Sequence, residues 1–211
     1  MKFLSLITFA SFALATPLRR QQTVTGTIEG SIDTLQKAIT ANTNAINEAV
    51  LTIKDNVGAE AVVKAQAAIK ANYQAIAQAL TSATQTIVGV TTGAAGGVIG
   101  QAQGLTQQQI VQLTKAVQSV IDSLEDIGAT ISVTATDLTP EVRAVFQSEI
   151  DAVKAALNPF IKPFILFAQA VTSLSVGGSV AITGLNGVLV NLIRVQNDLV
   201  KSIGLPPLTG I

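Results

Sequence analysis

The side chains that most often carry out chemistry in proteins are sparse in this sequence. The chain contains no His and no Cys, which excludes Ser-His-Asp and Cys-His catalytic groups, thiolate nucleophiles and zinc sites built from His or Cys. Disulfides are excluded for the same reason. Catalysis or metal binding would have to rest on carboxylates, hydroxyls and amines alone.

Three carboxylates, Asp122, Glu125 and Asp126, are the best candidates for acid–base chemistry or cation binding. Asp122 and Asp126 lie one helical turn apart, but both uses need a cleft and further ligands at matched spacing, and the sequence provides neither. No serine has a G-x-S-x-G setting, and no Lys occurs between Lys70 and Lys115 to complete a phosphate-binding loop among the glycines. A Ser-Lys dyad leaves no sequence signature and stays open. We predict a protein that is not an enzyme and holds no metal or cofactor.

Charge is scarce and balanced. Thirteen basic and thirteen acidic side chains give a net charge of zero, so the basic excess of a nucleic-acid-binding protein is missing and no nucleic-acid partner is expected. No charged residue occurs in the 44 residues from Ala71 to Thr114 or in the 31 residues from Pro163 to Ile193. Gln, Thr, Ser and Asn take their place. Faces of this kind could approach an apolar surface at a low desolvation cost.

The apolar residues recur at helical spacing and predict an all-α fold, an antiparallel bundle of five or six amphipathic helices. The first helix is expected from about Ile28 to Val57 and the second from about Ala59 to Val88, each with an apolar heptad pattern. The glycine-rich stretch from Gly89 to Gly104 is expected to be a flexible loop or a poorly formed helix.

Capping residues predict the later helices. Thr106 and Gln109 fit a capping box that opens a helix ending near Gly128. The next helix is expected to open at Thr139-Pro140-Glu141 and to end or kink at Asn158-Pro159. We place a further turn at Gly177-Gly178 and a last helix from Ile182 to Gly204.

The amino terminus has the pattern of a secretory signal peptide. Lys2 precedes an apolar stretch that ends in the small-x-small site Ala13-Leu14-Ala15, which predicts a signal peptide over 1–15. Residues 16–27 form a leader in which Arg19-Arg20 is either a dibasic processing site or an ordinary exposed pair. The bundle would then occupy 28–205 and a tail 206–211. A secreted protein, extracellular or in a cell wall, is expected.

A cluster of large apolar residues is the candidate contact site for an apolar ligand or surface. Five members share one face of the helical segment that follows Asn158-Pro159, and one from the preceding helix is expected opposite them: Phe160, Phe164, Phe167, Val171 and Leu174, with Phe146 opposite. Packing in the protein core is the default interpretation of this face, because its residues follow helical spacing on an amphipathic segment, and contact with a ligand or surface is the alternative.

A transmembrane segment is the rival interpretation of the second charge-free span. The window from Phe164 to Ile182 carries no charge, but Gln, Thr, Ser and Gly interrupt it repeatedly. A spanning helix needs roughly 20 predominantly apolar residues. We therefore expect no transmembrane anchor.

The sequence resembles the fungal hydrophobic surface-binding protein A family, which includes cell-wall mannoproteins. The likeness rests on the signal ending in Ala13-Leu14-Ala15, the short Pro/Arg leader, the Ile/Ala/Thr-rich helix from Ile28 to Ile53 and segments such as Ile150 to Leu157. The resemblance implies a secreted or wall-associated helical bundle without catalytic activity. It further implies binding to hydrophobic solids with recruitment of hydrolases, or storage of a fatty acid in an internal apolar cavity. The chain departs from the mannoprotein pattern because it has no N-x-Ser/Thr sequon.

Three function classes follow. Adhesion to an apolar surface predicts exposed apolar side chains beside charge-free faces. Carriage of a fatty acid or other lipid predicts an elongated apolar cavity inside the bundle. A structural wall protein or secreted effector would have neither feature. The first two draw on the same apolar residues, so the sequence does not separate them.

Overall fold

The computed structural model describes residues 23–55, 58–92, 97–174 and 179–208, and within these ranges every regular element is a helix. In chain order the helices are α1 (Val24–Lys54), α2 (Ala59–Thr92), the short α3 (Gly97–Ala102), α4 (Gln107–Asp137), the short α5 (Pro140–Ala144), α6 (Gln147–Leu174) and α7 (Val180–Ile203). The predicted all-α bundle is confirmed. The predicted signal peptide, the Arg19-Arg20 site and the Gly177-Gly178 turn lie outside the described residues.

The five long helices form a closed ring in the order α1, α2, α6, α7 and α4. Successive long helices alternate in direction, so α1 and α4 run the same way. Thr25 Oγ1 donates to Gln112 Oε1 at 3.3 Å near their beginnings, and Lys54 Nζ lies 3.0 Å from Asp137 Oδ2 at their ends. The tail after α7 returns to α6, where Asn158 Nδ2 donates to the Pro206 carbonyl at 2.7 Å.

The heptad pattern of α1 faces the interior of this ring. Ile32, Ile39 and Ile46 are fully buried, and Ile53 packs half-buried against the same core. Asn42, which interrupts the pattern, is half-buried and donates its amide to the Ala38 carbonyl at 2.6 Å. Because that acceptor lies one turn back in the same helix, the polar side chain is satisfied without a partner across the bundle.

The predicted end of α4 near Gly128 is wrong, because the helix continues to Asp137. Its start at the Thr106 capping box is as predicted. Gly128 is buried in the middle of the helix, where a Cβ atom would lie 2.5 Å from Leu199 Cδ2. The glycine therefore permits close approach of α4 and α7 and does not terminate α4. Gly204, by contrast, does end α7 with the left-handed conformation expected of a helix-terminating glycine, at φ 68°.

The predicted boundaries around α6 also need correction. Thr139 and Pro140 open only the short α5, and a turn at Val145 and Phe146 precedes the start of α6 at Gln147. The helix then runs through Asn158-Pro159 without ending there. Proline removes one helical hydrogen bond, but buried side chains on both sides of it, including Phe160, hold this segment against the core.

The glycine-rich stretch is partly helical. The second helix, α2, passes through Gly89 and ends at Thr92, and α3 forms from Gly97 to Ala102 before Gly104 adopts a positive φ of 76°. The residues between Thr92 and Gly97 lie outside the described ranges. Among the described residues of this stretch, the irregular backbone expected from the glycines is observed at Gly97, where φ is 57°, and again at Gly104 after α3.

Two helical glycines should respond oppositely to substitution. Gly184 lies in α7 with open space at its Cβ position, so Gly184→Ala should stabilise the protein by about 0.5–1 kcal/mol through helix propensity. Gly128→Val should destabilise it by about 1–3 kcal/mol because the added atoms meet Leu199. Urea denaturation measures both changes. Equal effects at the two positions would contradict the close approach of α4 and α7.

Tyr73, the single tyrosine of the chain, should titrate at unusually high pH. Its hydroxyl is buried 2.7 Å from Thr134 Oγ1, and desolvation raises the pKa of Tyr73 to about 12. Since the unfolded chain loses this proton near pH 10, the stability present below pH 10 should fall by about 1.4 kcal/mol per pH unit up to pH 12. Phenolate absorbance follows the titration. A midpoint near pH 10 in the folded protein would contradict burial of the hydroxyl.

Candidate functional site

The structure places the aromatic members of the predicted contact site in the core. Phe146, Phe160, Phe164 and Phe167 are each at most 1% exposed, and Val171 is fully buried. The rings of Phe160 and Phe164 meet edge to face with centroids 5.8 Å apart, a favourable aromatic geometry. Leu174 differs from the others, because it lies at the end of α6 and is 36% exposed. In this structure the rings fill the space between helices.

Two depressions in the described part of the protein have no lining residue from this set of six. Both lie where α4 and α7 end, with volumes of about 460 Å³ and 240 Å³. A ligand bound at the phenylalanines would therefore need to part the packed helices. The contact between α6 and α7 is the least extensive in the ring and would be the easiest to open.

One of the buried polar side chains has a donor without an acceptor. Gln196 on α7 is 2% exposed, and its amide nitrogen Nε2 has no hydrogen-bond partner among the described residues. A buried donor without an acceptor costs about 1–3 kcal/mol. A molecule that brought an acceptor to this amide would recover part of that cost.

The two charge-free spans lie together at one end of the bundle. We call this region the uncharged surface, defined as the exposed residues of α2 after Ala71, α3, α4 before Lys115, α6 after Lys162 and α7 before Arg194. The α2 and α6 helices finish at this end, and α4 and α7 begin there. Sequence segments far apart in the chain therefore meet in space because successive helices alternate in direction. The first helix, α1, brings charged side chains to the same end from its own side of the ring.

Most of the exposed large apolar side chains of the described chain belong to the uncharged surface. Seven of the ten are there: Val88, Ile99, Val111, Leu166, Leu174, Val180 and Val190. The other three are Leu51, Val63 and Val145. Val180 is 90% exposed at the first turn of α7. The surface thus combines missing charge with exposed apolar groups, which are the two properties that contact with an apolar phase requires.

The polar residues of the two charge-free spans include, beside glutamines, asparagines and serines, a set of threonines whose hydroxyls already have acceptors. On α2, Thr81 donates to the Ala77 carbonyl at 2.9 Å and Thr92 donates to the Val88 carbonyl at 2.6 Å. The same bond to a carbonyl three or four residues back is made by Thr84, Thr86, Thr91, Thr114, Thr172 and Thr183. Since these donors are satisfied within their own helices, contact with a dry surface would leave none of them unpaired.

The carboxylates considered for chemistry do not converge. Asp122 is half-buried and accepts a hydrogen bond from Gln118 Nε2 at 2.9 Å, whereas Glu125 and Asp126 are exposed. Within the described ranges no group of three acidic side chains could hold a metal ion. These three carboxylates therefore do not face a common position at which they could act together as acid and base.

The α6 helix is, among the described residues, the one helix long and apolar enough to cross a membrane by length and composition. Its most apolar window is 44% buried inside the protein. Core helices of water-soluble proteins meet the same criteria, so this property does not distinguish a span from a core helix.

The charge-free spans are visible in the sequence, but the apolar residues that they expose are not. Val180 and Ile182 are both apolar and two residues apart, yet Val180 is exposed and Ile182 packs half-buried against the core. Their positions around the α7 helix axis relative to α4 and α6 decide the difference.

The sequence matches no known protein family, no curated protein and no solved structure.

Proposed function

We propose that this protein is a secreted, non-catalytic adhesion protein that binds hydrophobic solids through its uncharged surface. The observation that carries the proposal is the placement of seven of the ten exposed large apolar side chains in the two charge-free spans. Burying apolar area releases about 25 cal/mol per Å². Because the region has few charged side chains, the cost of desolvating charge opposes that gain only weakly.

The threonines of the charge-free spans support the same function. Threonine hydroxyls bonded to their own helix can be dehydrated at a lower cost than free hydroxyls. Their helices have buried faces that hold the bundle together, and this leaves the outward side chains free for contact with a solid. Binding would therefore not require the protein to unfold.

The resemblance to the fungal hydrophobic surface-binding protein A family agrees with this proposal. It adds an extracellular or cell-wall location and a secreted hydrolase as a partner on the solid. The location and the hydrolase partner are proposed from this resemblance and not from a contact in the structure.

Adsorption to an apolar polyester should be insensitive to salt. The Debye length falls from about 30 Å at 0.01 M to about 3 Å at 1 M, so an electrostatic attachment would weaken strongly over this range. Binding through uncharged side chains should keep its affinity or gain slightly. Depletion of the protein from solution by polyester particles measures the effect. Loss of adsorption at 1 M NaCl would contradict the proposal.

Carriage of a fatty acid is the second candidate function. The observation that favours it is the unpartnered amide of Gln196 in the apolar interior. A carboxylate or ester oxygen could accept from Gln196 Nε2 while the acyl chain displaced the rings of Phe160, Phe164 and Phe167. Titration with a fluorescent fatty acid tests this role. Saturable binding that weakens in Gln196→Leu supports it, and the absence of saturable binding contradicts it.

A further inference from the structure

The two depressions between α4 and α7 adjoin and form one groove. The larger is lined by the last turns of α4, by α5, by the start of α6 and by the end of α7, and the smaller lies between α4 and α7. Ser132 and Ser202 line both depressions. We call the combined feature the α4–α7 groove. It lies on the charged part of the bundle, away from the uncharged surface.

Charges of opposite sign occupy the two halves of the groove. Arg143 and Lys154 line the larger half, which has no acidic residue, and Glu125 and Asp198 line the smaller half, which has no basic residue. Neither carboxylate nor Lys154 forms an ion pair with a described residue. Arg143 Nη1 donates to the Ala135 carbonyl at 2.6 Å, which fixes the guanidinium at the wall.

Beside these charges the groove offers apolar contacts and hydroxyls. Ile131, Ile150 and Ile203 line the larger half, and Leu199 lines the smaller. The two serines stand at the junction, where their hydroxyls could hydrogen-bond a peptide backbone. The close approach of Leu199 to Gly128 holds α4 against α7 beneath the smaller half.

The length of the groove selects the kind of molecule that could bridge its charges. From Glu125 to Ala135, α4 rises about 15 Å at 1.5 Å per residue. An extended peptide advances about 3.3 Å per residue, so five residues cover this length. A zwitterionic lipid headgroup carries its two charges only a few bonds apart and is much shorter than this length.

We propose that the α4–α7 groove binds an extended peptide segment of a partner protein. The segment carries a basic side chain at one position and an acidic side chain four residues away. The basic side chain meets Glu125 and Asp198, and the acidic one meets Arg143 and Lys154. An apolar side chain between them contacts the isoleucines. Because the groove is separate from the uncharged surface, this binding does not depend on adsorption to a solid.

Three labelled pentapeptide amides test the charge pattern by fluorescence anisotropy with the full folded protein. They are Lys-Ala-Leu-Ala-Asp, Lys-Ala-Leu-Ala-Lys and Asp-Ala-Leu-Ala-Asp. The wild-type protein should bind the mixed peptide about fivefold more tightly than either same-charge peptide, a preference of the size that two partly exposed ion pairs provide. Equal binding of the three peptides, or no saturable binding of the mixed one, would overturn the proposal.

Charge-reversal variants locate the site. Glu125→Lys with Asp198→Lys should transfer the preference to the Asp/Asp peptide, and Lys154→Glu should shift it toward the Lys/Lys peptide. The matched control is Asp33→Lys with Glu48→Lys, which changes net charge as much as the first variant does but on exposed positions of α1. The control should retain the wild-type preference. A control that behaves like the groove variant would assign the effect to net charge and overturn the site.

Discussion

Phe164→Ala should lower the free energy of unfolding by about 3–5 kcal/mol, the range expected when a buried phenylalanine is truncated in a packed core. Phe164 is 1% exposed and its ring packs edge to face on Phe160 inside the helix ring. Urea denaturation measures the loss. The matched control is Leu166→Ala on the same helix, where the side chain is 37% exposed and the expected loss is below about 1 kcal/mol.

The comparison between these two variants separates the two interpretations of the aromatic cluster. A loss of several kcal/mol at Phe164 and little at Leu166 means that protein atoms surround the ring in the free protein, so that any lipid must displace it. If Phe164→Ala costs no more than Leu166→Ala, the ring does not pack as the structure has it. The core placement of Phe164 would then be wrong.

The helices could be predicted from the sequence wherever local information determines them. The isoleucines of α1 mark its buried face directly, and Thr106 with Gln109 marks the start of α4 through a bond between residues three apart. Such signals need no knowledge of the rest of the fold. The all-α class and the first two helices follow from them.

The errors arose where distant residues override local preference. Gly128 suggests a helix end from its local sequence alone. The residue that packs against it, Leu199, lies 71 residues later in the chain. Pro159 similarly suggests a boundary, but the apolar face on both sides of it is held in the core. In each case tertiary packing contributes more than the local cost of the residue.

The candidate surface was only half visible in the sequence. The charge-free spans can be read from the printed chain, but their meeting at one end of the bundle requires the order and direction of the helices. Which apolar residues face outward depends on the neighbours of each helix. The α4–α7 groove could not be foreseen at all, because α4, α5, α6 and α7 each contribute to it.

Lysines on the uncharged surface should abolish most of the adsorption. The variant Ile99→Lys, Val180→Lys, Val190→Lys replaces three apolar side chains that are each more than half exposed. It removes apolar contact area and adds three charges that would have to be desolvated at the solid. Affinity for an apolar polyester should fall about tenfold or more, equivalent to a loss of at least about 1.4 kcal/mol of binding free energy. The positions are exposed, so thermal unfolding should change little.

The measurement that tests the adhesive surface most directly compares this variant with Leu51→Lys, Val63→Lys, Val145→Lys. The second variant adds the same three charges and removes the three exposed large apolar side chains that lie outside the charge-free spans. Depletion isotherms on polyester particles at fixed ionic strength give the affinity of each protein. The proposed surface predicts a loss of about tenfold or more for the first variant and a change of less than about twofold for the second. Equal losses, or a larger loss in the second variant, would contradict adhesion through the uncharged surface.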